Sequence, residues 1–253
     1  MNDFGVQPAA AETPGLSQWQ RVANTFSAPS KTFEDIKRGN RSWWLPFIFI
    51  AVVSYILFAA VYFQIGMQQV VDNSIRLDPK AQERMASVPP EQREVSNKIA
   101  IGFTEGIFIA NPLLVLAGLA VFSFGLLGTI NFVFGGKATY GSIFAVFVFA
   151  TLPTIIKTLL GVVTIYAGAA PETFNIKNFA PTNIGAFLNP METNKALYSL
   201  ASSLDVVSIW SLVLLAIGTA TVAGVKRSSG YLAVFGWWAI FTLVAVGWAA
   251  AMG

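Results

Sequence analysis

The chain has no cysteine and no histidine. Those two absences remove disulfides, zinc fingers, haem held by His or Cys, Cys nucleophiles and any protease that relies on a His base. Charge is scarce as well: 11% of the residues are Asp, Glu, Lys or Arg and 55% are hydrophobic, far from the roughly 25% charge of a soluble domain. No carboxylate cluster for magnesium and no phosphate-binding Gly-rich loop occurs, and Asp205 stands alone where an intramembrane aspartyl protease needs two facing aspartates. No catalytic residue, cofactor or metal site is expected, and the chain reads as a non-enzyme. Its formal net charge of +3 does not mark a nucleic-acid partner, because Lys and Arg sit beside apolar runs instead of forming a basic stripe.

What the sequence does have is long apolar runs. Thirty-one residues separate Glu105 from Lys137 and nineteen separate Lys137 from Lys157, none of them charged. At about 1.5 Å per helical residue, each run can cross a hydrocarbon layer of about 30 Å. The connecting Phe134-Gly135-Gly136-Lys137-Ala138-Thr139-Tyr140-Gly141 has two glycines for a tight reversal, with Lys137 and Tyr140 where headgroups would be met. Residues 103–170 are therefore expected to form a transmembrane hairpin around which the other spans pack. Trp43-Trp44-Leu45-Pro46 opens a further span, 206–225 is apolar between Asp205 and Lys226, and 228–253 supplies a fifth. The expected fold class is all-α: a polytopic membrane protein whose five transmembrane helices lie at about 44–66, 103–134, 139–168, 204–225 and 230–251.

Residues 1–18 mix Pro, Ala and Gly without periodicity and lack the apolar core of a signal peptide, so a disordered cytoplasmic tail is expected there. In 19–42, Trp19, Val22 and Phe26 share one helical face, and after Pro29 so do Phe33 and Ile36 among Lys31, Lys37 and Arg38. This segment is expected to be a pair of amphipathic interfacial helices, with Trp19, Phe26, Phe33, Ile36, Trp43 and Trp44 as membrane anchors. A soluble tail with incidental spacing is the alternative. The stretch 67–100 is of mixed charge, with short helices started at Asp78-Pro79 and Pro89-Pro90, and 171–200 is rich in Asn and Pro; both read as polar loops. Basic residues compressed into the first flank and the two tight turns place the N-terminus in the cytoplasm and the C-terminus outside.

Within the spans, Thr104, Asn111, Gly118 and Gly125 recur every seventh residue, and Ala216, Ala220 and Gly224 every fourth. Small stripes of this kind let helices approach closely; a pore lined by Thr104 and Asn111 is the functional alternative. Pro112 and Pro153 are candidate kinks. Lys157 and Asp205 share a depth, on ideal helices about 28 Å and about 31 Å from the tight turns. They are a candidate intramembrane ion pair, with Thr154 and Ser208 one turn away. The competing reading is a snorkelling lysine and an ordinary helix start at the membrane edge.

Several segments in this order resemble the Yip (Ypt-interacting protein) family and its compact bacterial branch. They are Phe26-x-x-Pro29-x-x-x-Phe33-x-x-Ile36, Trp44-x-Pro46, the turn Phe134-Gly135-Gly136-Lys137, Leu152-Pro153, and Leu204-Asp205-x-x-x-x-Trp210 leading to Leu214-Leu215-Ala216-Ile217-Gly218. The resemblance spans about 19–253 and implies a five-helix domain with a cytoplasmic N-terminus, and for the bacterial branch an inner-membrane location. Eukaryotic members act in membrane traffic and bind Rab-type GTPases or one another. This chain carries Ser42-Trp43-Trp44-Leu45-Pro46 where those members have Asp-Leu-x-Gly-Pro, and Phe149-Ala150 where they have Gly-Tyr, so a Rab-type GTPase is not the expected partner. The expected partners are the lipid bilayer and other membrane proteins or a second copy in a homo-oligomer. The expected role is a membrane-organising or trafficking-like scaffold or adaptor; the alternative class is a channel or transporter for an ion, a lipid or a small solute.

Overall fold

The computed structural model describes residues 15–252, so most of the tail expected at 1–18 lies outside the described residues. Two short helices come first, α1 (Gln18–Ser27) and α2 (Pro29–Lys37). Ser17 and Gln20 close a reciprocal capping box on α1, and Pro29 starts α2 where its missing N–H is not needed. The first span follows as α3 (Trp44–Ala60), extended by a π-turn to Ile65. The polar stretch after it folds into α4 (Met67–Arg76) and α5 (Pro79–Ala86), whose N-cap Asp78 accepts hydrogen bonds from the amides of Lys80 and Ala81.

The second span is longer than its apolar run. α6 (Pro90–Gly128) and a π-turn reach Val133, 44 residues in all, which is about 66 Å of helix and twice what a bilayer core needs. Its first turns carry Glu91, Arg93, Glu94 and Lys98 beyond the apolar stretch, and the Glu94–Lys98 pair (2.7 Å) lies along that polar face. The helix therefore begins at Pro90 and not near 103. The third span is broken into α7 (Tyr140–Ala150) and α8 (Thr154–Tyr166). Pro153 has no N–H to give, and the backbone tightens across 151–153 into bonds such as Leu152 N–H to Phe149 C=O (3.1 Å) and Thr154 N–H to Thr151 C=O (2.9 Å). α9 (Lys195–Ser203) lies in the second polar loop, capped by Asn194. α10 (Val206–Ala223) and α11 (Arg227–Met252) are the last two spans. Five helices among the described residues are thus long and apolar enough to cross a membrane, and none of the described residues lies in a β-strand.

The two tight turns share one side of the bundle, here called the tail side. Asn131 closes the first turn with both ends of its amide, donating to Ala138 C=O (2.9 Å) and accepting from Ala138 N–H (3.0 Å), while Gly135 takes φ +69°. Lys137 N–H then reaches Ala223 C=O of the second turn at 3.0 Å. On the loop side, Asn73 of α4 donates to the carbonyls of Pro171 (2.8 Å) and Phe174 (2.9 Å), and Arg76 donates to Glu172 C=O, so the two polar loops form one cap.

Only one arm of the 103–170 hairpin sits at the centre. α6 is largely bare, with Leu113, Val121, Phe124 and Phe132 exposed, whereas α7 and α10 hold the core: Ile143, Ala145, Val146, Val148, Phe149 and Ala216 are all 0% exposed. A second apolar cluster at the loop-side end joins Leu57, Val61, Met67, Val70, Ile165 and Phe174.

Candidate functional site

The N-terminal helices do not lie flat among headgroups. Phe33 and Ile36, expected as membrane anchors, are both 0% exposed inside the core between α2, α7 and α10. Their apolar stripe found protein instead of lipid because Gly218 on α10 leaves a recess there: a Cβ at Gly218 would stand 2.5 Å from Val146 Cγ1 and 2.9 Å from Phe33 Cδ1. α2 runs parallel to α10. Phe26, just before it, meets Trp210 edge-on at 5.8 Å, Phe33 faces Gly218, and Lys37 Nζ approaches Gly224. Trp210 and Gly224 are fourteen residues apart, about 21 Å of helix, so the hairpin lies along most of α10, with its tip at Ala28-Pro29 away from the tail side and α2 returning to it.

The inner face of the hairpin has to satisfy the polar groups it buries, because the packed core offers no water. Arg21, fully buried, organises them. Its guanidinium donates to Ser42 C=O (2.7 Å), Asn40 C=O (2.7 Å) and Asn40 Oδ1 (3.2 Å), its Nε lies 3.4 Å from Asp35 Oδ2, and its Cζ stacks 4.5 Å from the Phe149 ring centroid. Asp35, 1% exposed, also accepts from Asn40 Nδ2 (2.8 Å) and the amide of Leu16 (3.1 Å). The hydroxyls of Thr25 and Thr32 both donate to Arg21 C=O at 2.8 Å, tying α1 to α2. Burial lowers the Arg21 pKa to about 10 against the opposing pull of Asp35, which leaves the guanidinium charged at neutral pH. No hydropathy signal singled Arg21 out, since a lone cation in a polar-looking segment reads as solvated. The outer face of the hairpin, with Gln20, Ser27, Lys31 and Glu34, is exposed.

The remaining anchors divide. Trp19 (66% exposed) and Trp44 (52%) stay on the surface, Trp19 edge-on to Phe49 at 5.6 Å. Phe26 is partly covered by Trp210, and Trp43 packs inward against Phe144 at 5.2 Å.

On the loop side, Lys157 Nζ lies 2.9 Å from Asp205 Oδ2; the Asp205 side chain is almost sealed and that of Lys157 half-buried. Asp205 is the N-cap of α10, accepting from Ser208 N–H at 2.8 Å. Its Oδ2 also takes the Thr182 hydroxyl (2.5 Å), and Val206 N–H bonds Thr182 C=O (3.0 Å), so the carboxylate pins the second polar loop to the bundle. The Phe179 ring covers Lys157 with its centroid 5.8 Å from Nζ and packs against Gly161, where a Cβ would fall 2.5 Å from the ring. Thr154 takes no part; its hydroxyl donates to Thr151 C=O. Thr182 and Phe179 escaped the sequence reading because they lie in an irregular loop more than twenty residues from either charge. The arrangement is a clamp between loop and helix, with the carboxylate already saturated by donors.

The small-residue stripes hold only in part. Ala216 and Ala220 are buried where α11 crosses α10, and the residue that permits the crossing is Gly230, whose Cβ would collide with Ala216 C=O and stand 2.8 Å from Ala220 Cβ. Gly224 is not part of a contact stripe: at φ +69° it is the left-handed C-cap of α10. Gly125 admits the Trp237 ring of α11 (3.4 Å from a Cβ), whose Nε1 donates to Thr129 Oγ1 at 3.0 Å. Gly118, one heptad earlier on the same face, has nothing within 4 Å of a Cβ and Asn111 is half-buried, so the α11 contact at Gly125 does not continue along the stripe. Thr104 turns its hydroxyl onto Ala100 C=O and borders a loop-side cavity with Val71 and Phe103. α6 continues as an α-helix through Pro112, which has no N–H for Phe108 C=O; beside it, Ile109 C=O accepts the Tyr55 hydroxyl at 3.0 Å.

Two cavities flank α9 and α11 at the loop side, one apolar and of about 670 Å³, the other polar and of about 540 Å³. Five apolar helices, two polar loops gathered on one side and a short helical hairpin wedged into the other define an all-α integral membrane protein. Over residues 23–249 the chain matches the Yip1 domain, and it belongs to that family. No curated protein and no solved structure matches it.

Proposed function

We propose that this Yip1-domain protein is a non-enzymatic membrane-organising scaffold, acting through an asymmetric cross-section. The observation that carries this reading is the placement of α1 and α2 beside α10 between Trp210 and Gly224, entering from the tail side. Two short helices then join the five spans from the tail side, against α9 alone from the loop side, so the tail-side leaflet is spread more than its partner. The buried Arg21–Asp35–Asn40 network holds the hairpin rigidly enough to transmit that spreading. Exposed Trp19 and Trp44 supply an adaptor face for other membrane proteins or a second copy.

Lys31, Lys37, Arg38 and Arg41 with Lys137, Lys226 and Arg227 on the tail side support a cytoplasmic N-terminus in a bacterial inner membrane, which labelling of a single cysteine at Ser228 from the cytoplasmic face checks. To test the wedge, labelled protein is reconstituted in giant vesicles and narrow tubes are pulled from them. Molecules with the tail side outward should be enriched on the tube, and Phe33→Glu, which frees the hairpin, should remove the enrichment. Equal density on tube and parent vesicle for the unaltered chain would refute the proposal. Within the alternative class of channel or transporter, the apolar cavity beside α11 favours a lipid over an ion as the molecule handled.

A further inference from the structure

The two loop-side cavities are halves of one site, and we infer that it binds a single anionic phospholipid of the loop-side leaflet. α11 lines the apolar cavity with Trp237, Phe241 and Ala245 and the polar one with Ala249, every fourth residue along one helical face. α9 does the same from the opposite wall: Lys195 lines the polar cavity, Ser203 the apolar one, and Ser199 between them lines both. The two cavities therefore follow one another over about 18 Å of α11, from the loop cap into the membrane-facing groove between α6, α10 and α11, and meet at Ser199.

The chemistry changes along that track as a lipid's does. The inner part is walled by Val121, Leu126, Leu215, Val234 and two tryptophans, and its volume falls in the usual range of small-molecule pockets, about 300–1,000 Å³. The outer part is ringed by Lys80, Arg84, Lys177 and Lys195 against the one carboxylate of Asp78, which is already engaged as the cap of α5. Arg84, Lys177 and Lys195 around one occupied anion make a field for a phosphate, not for a zwitterion. Two neutral donors face the same space. The first is Tyr198, whose oxygen accepts from Asn175 Nδ2 (3.3 Å) and Asn178 Nδ2 (3.2 Å), which leaves its own proton to donate; the second is the Ser199 hydroxyl, on the wall common to both cavities. Trp248 stands at the rim, where an aromatic belt meets headgroups. This site is on the opposite side of the bundle from the α1–α2 wedge and does not depend on the scaffold reading.

The test uses the full-length chain in phosphatidylcholine vesicles carrying either brominated phosphatidylglycerol or brominated phosphatidylcholine, reading quenching of tryptophan fluorescence. Brominated phosphatidylglycerol should quench in excess of brominated phosphatidylcholine. The double variant Lys177→Gln with Lys195→Gln, both at the cleft surface, should lower the preference for phosphatidylglycerol about twenty-five-fold, since each cation near a headgroup is worth about a factor of five. Ala245→Phe, which fills the apolar part and touches no charge, should lower it as well. Arg93→Gln with Lys98→Gln removes the same charge from the same side outside the cleft and should leave it unchanged. Equal quenching by the two lipids, an equal loss in the Arg93/Lys98 variant, or full competition by soluble glycerol phosphate would each overturn the two-part site. The last of these would leave a free-phosphate cleft only.

Discussion

Asp205 performs three tasks with two oxygens: it caps α10 through Ser208, holds the loop through Thr182 and neutralises Lys157. Removing it therefore costs more than removing its partner. Asp205→Ala loses a helix cap worth about 1 kcal/mol and strands a half-buried ammonium, so a loss of about 3 kcal/mol is expected. Lys157→Met leaves the carboxylate with its hydroxyl and amide donors, and about 1–2 kcal/mol is expected. Lys157→Met combined with Asp205→Asn keeps a competent cap without a buried charge and should cost no more than the lysine change alone. Unfolding in detergent, arranged as a double-mutant cycle, measures this; strict additivity would mean that the charges do not act on each other. Arg21 follows the same logic on the tail side with less freedom, because neither it nor Asp35 can reach water.

Among the helices, contacts are decided by which glycines face a neighbour. Gly230→Ala drives a methyl into the backbone oxygen of Ala216, which cannot rotate away, and a destabilisation of about 2–3 kcal/mol is expected as α11 separates from α10. Gly118→Ala meets nothing and relieves a conformational cost, so it should be neutral or stabilising by up to about 1 kcal/mol. Thermal unfolding of the two variants side by side discriminates them, and equal losses would mean that α6 has a partner helix on that face. The contrast also explains why a seven-residue spacing on α6 was legible as a pattern but not as a contact. Spacing names a face, and only a neighbouring helix makes that face an interface.

At the level of the molecule, the N-terminal hairpin belongs to the bundle and is not an appendage of it. Deleting residues 1–42 uncovers Val146, Phe149 and Gly218 and takes Phe33 and Ile36 out of the core. The spans are apolar enough to insert without it, but the folded bundle should be less stable by about 3 kcal/mol or more, comparable to losing a buried Phe. Limited proteolysis at the 134–139 turn and the unfolding midpoint report this. An unchanged midpoint would return α1 and α2 to the membrane surface.

The spans were readable from the sequence because a long uncharged run has one low-energy choice in a bilayer: a helix that satisfies its own backbone. Local signals were equally legible, as with Asp78 before Pro79, the Gly135-Gly136 turn and the proline that splits the third span. What only the tertiary structure decided is the partner of each amphipathic face. A stripe such as Phe33 and Ile36 has the same period whether it meets lipid or protein, and the choice fell to protein because Gly218, 185 residues away, opens a recess on α10. The burial of Arg21, the saturation of Asp205 by Thr182 and the alignment of Lys195, Ser199 and Ser203 with the face of α11 arise in the same way. Each joins residues far apart in the chain through packing geometry, which neither composition nor periodicity encodes.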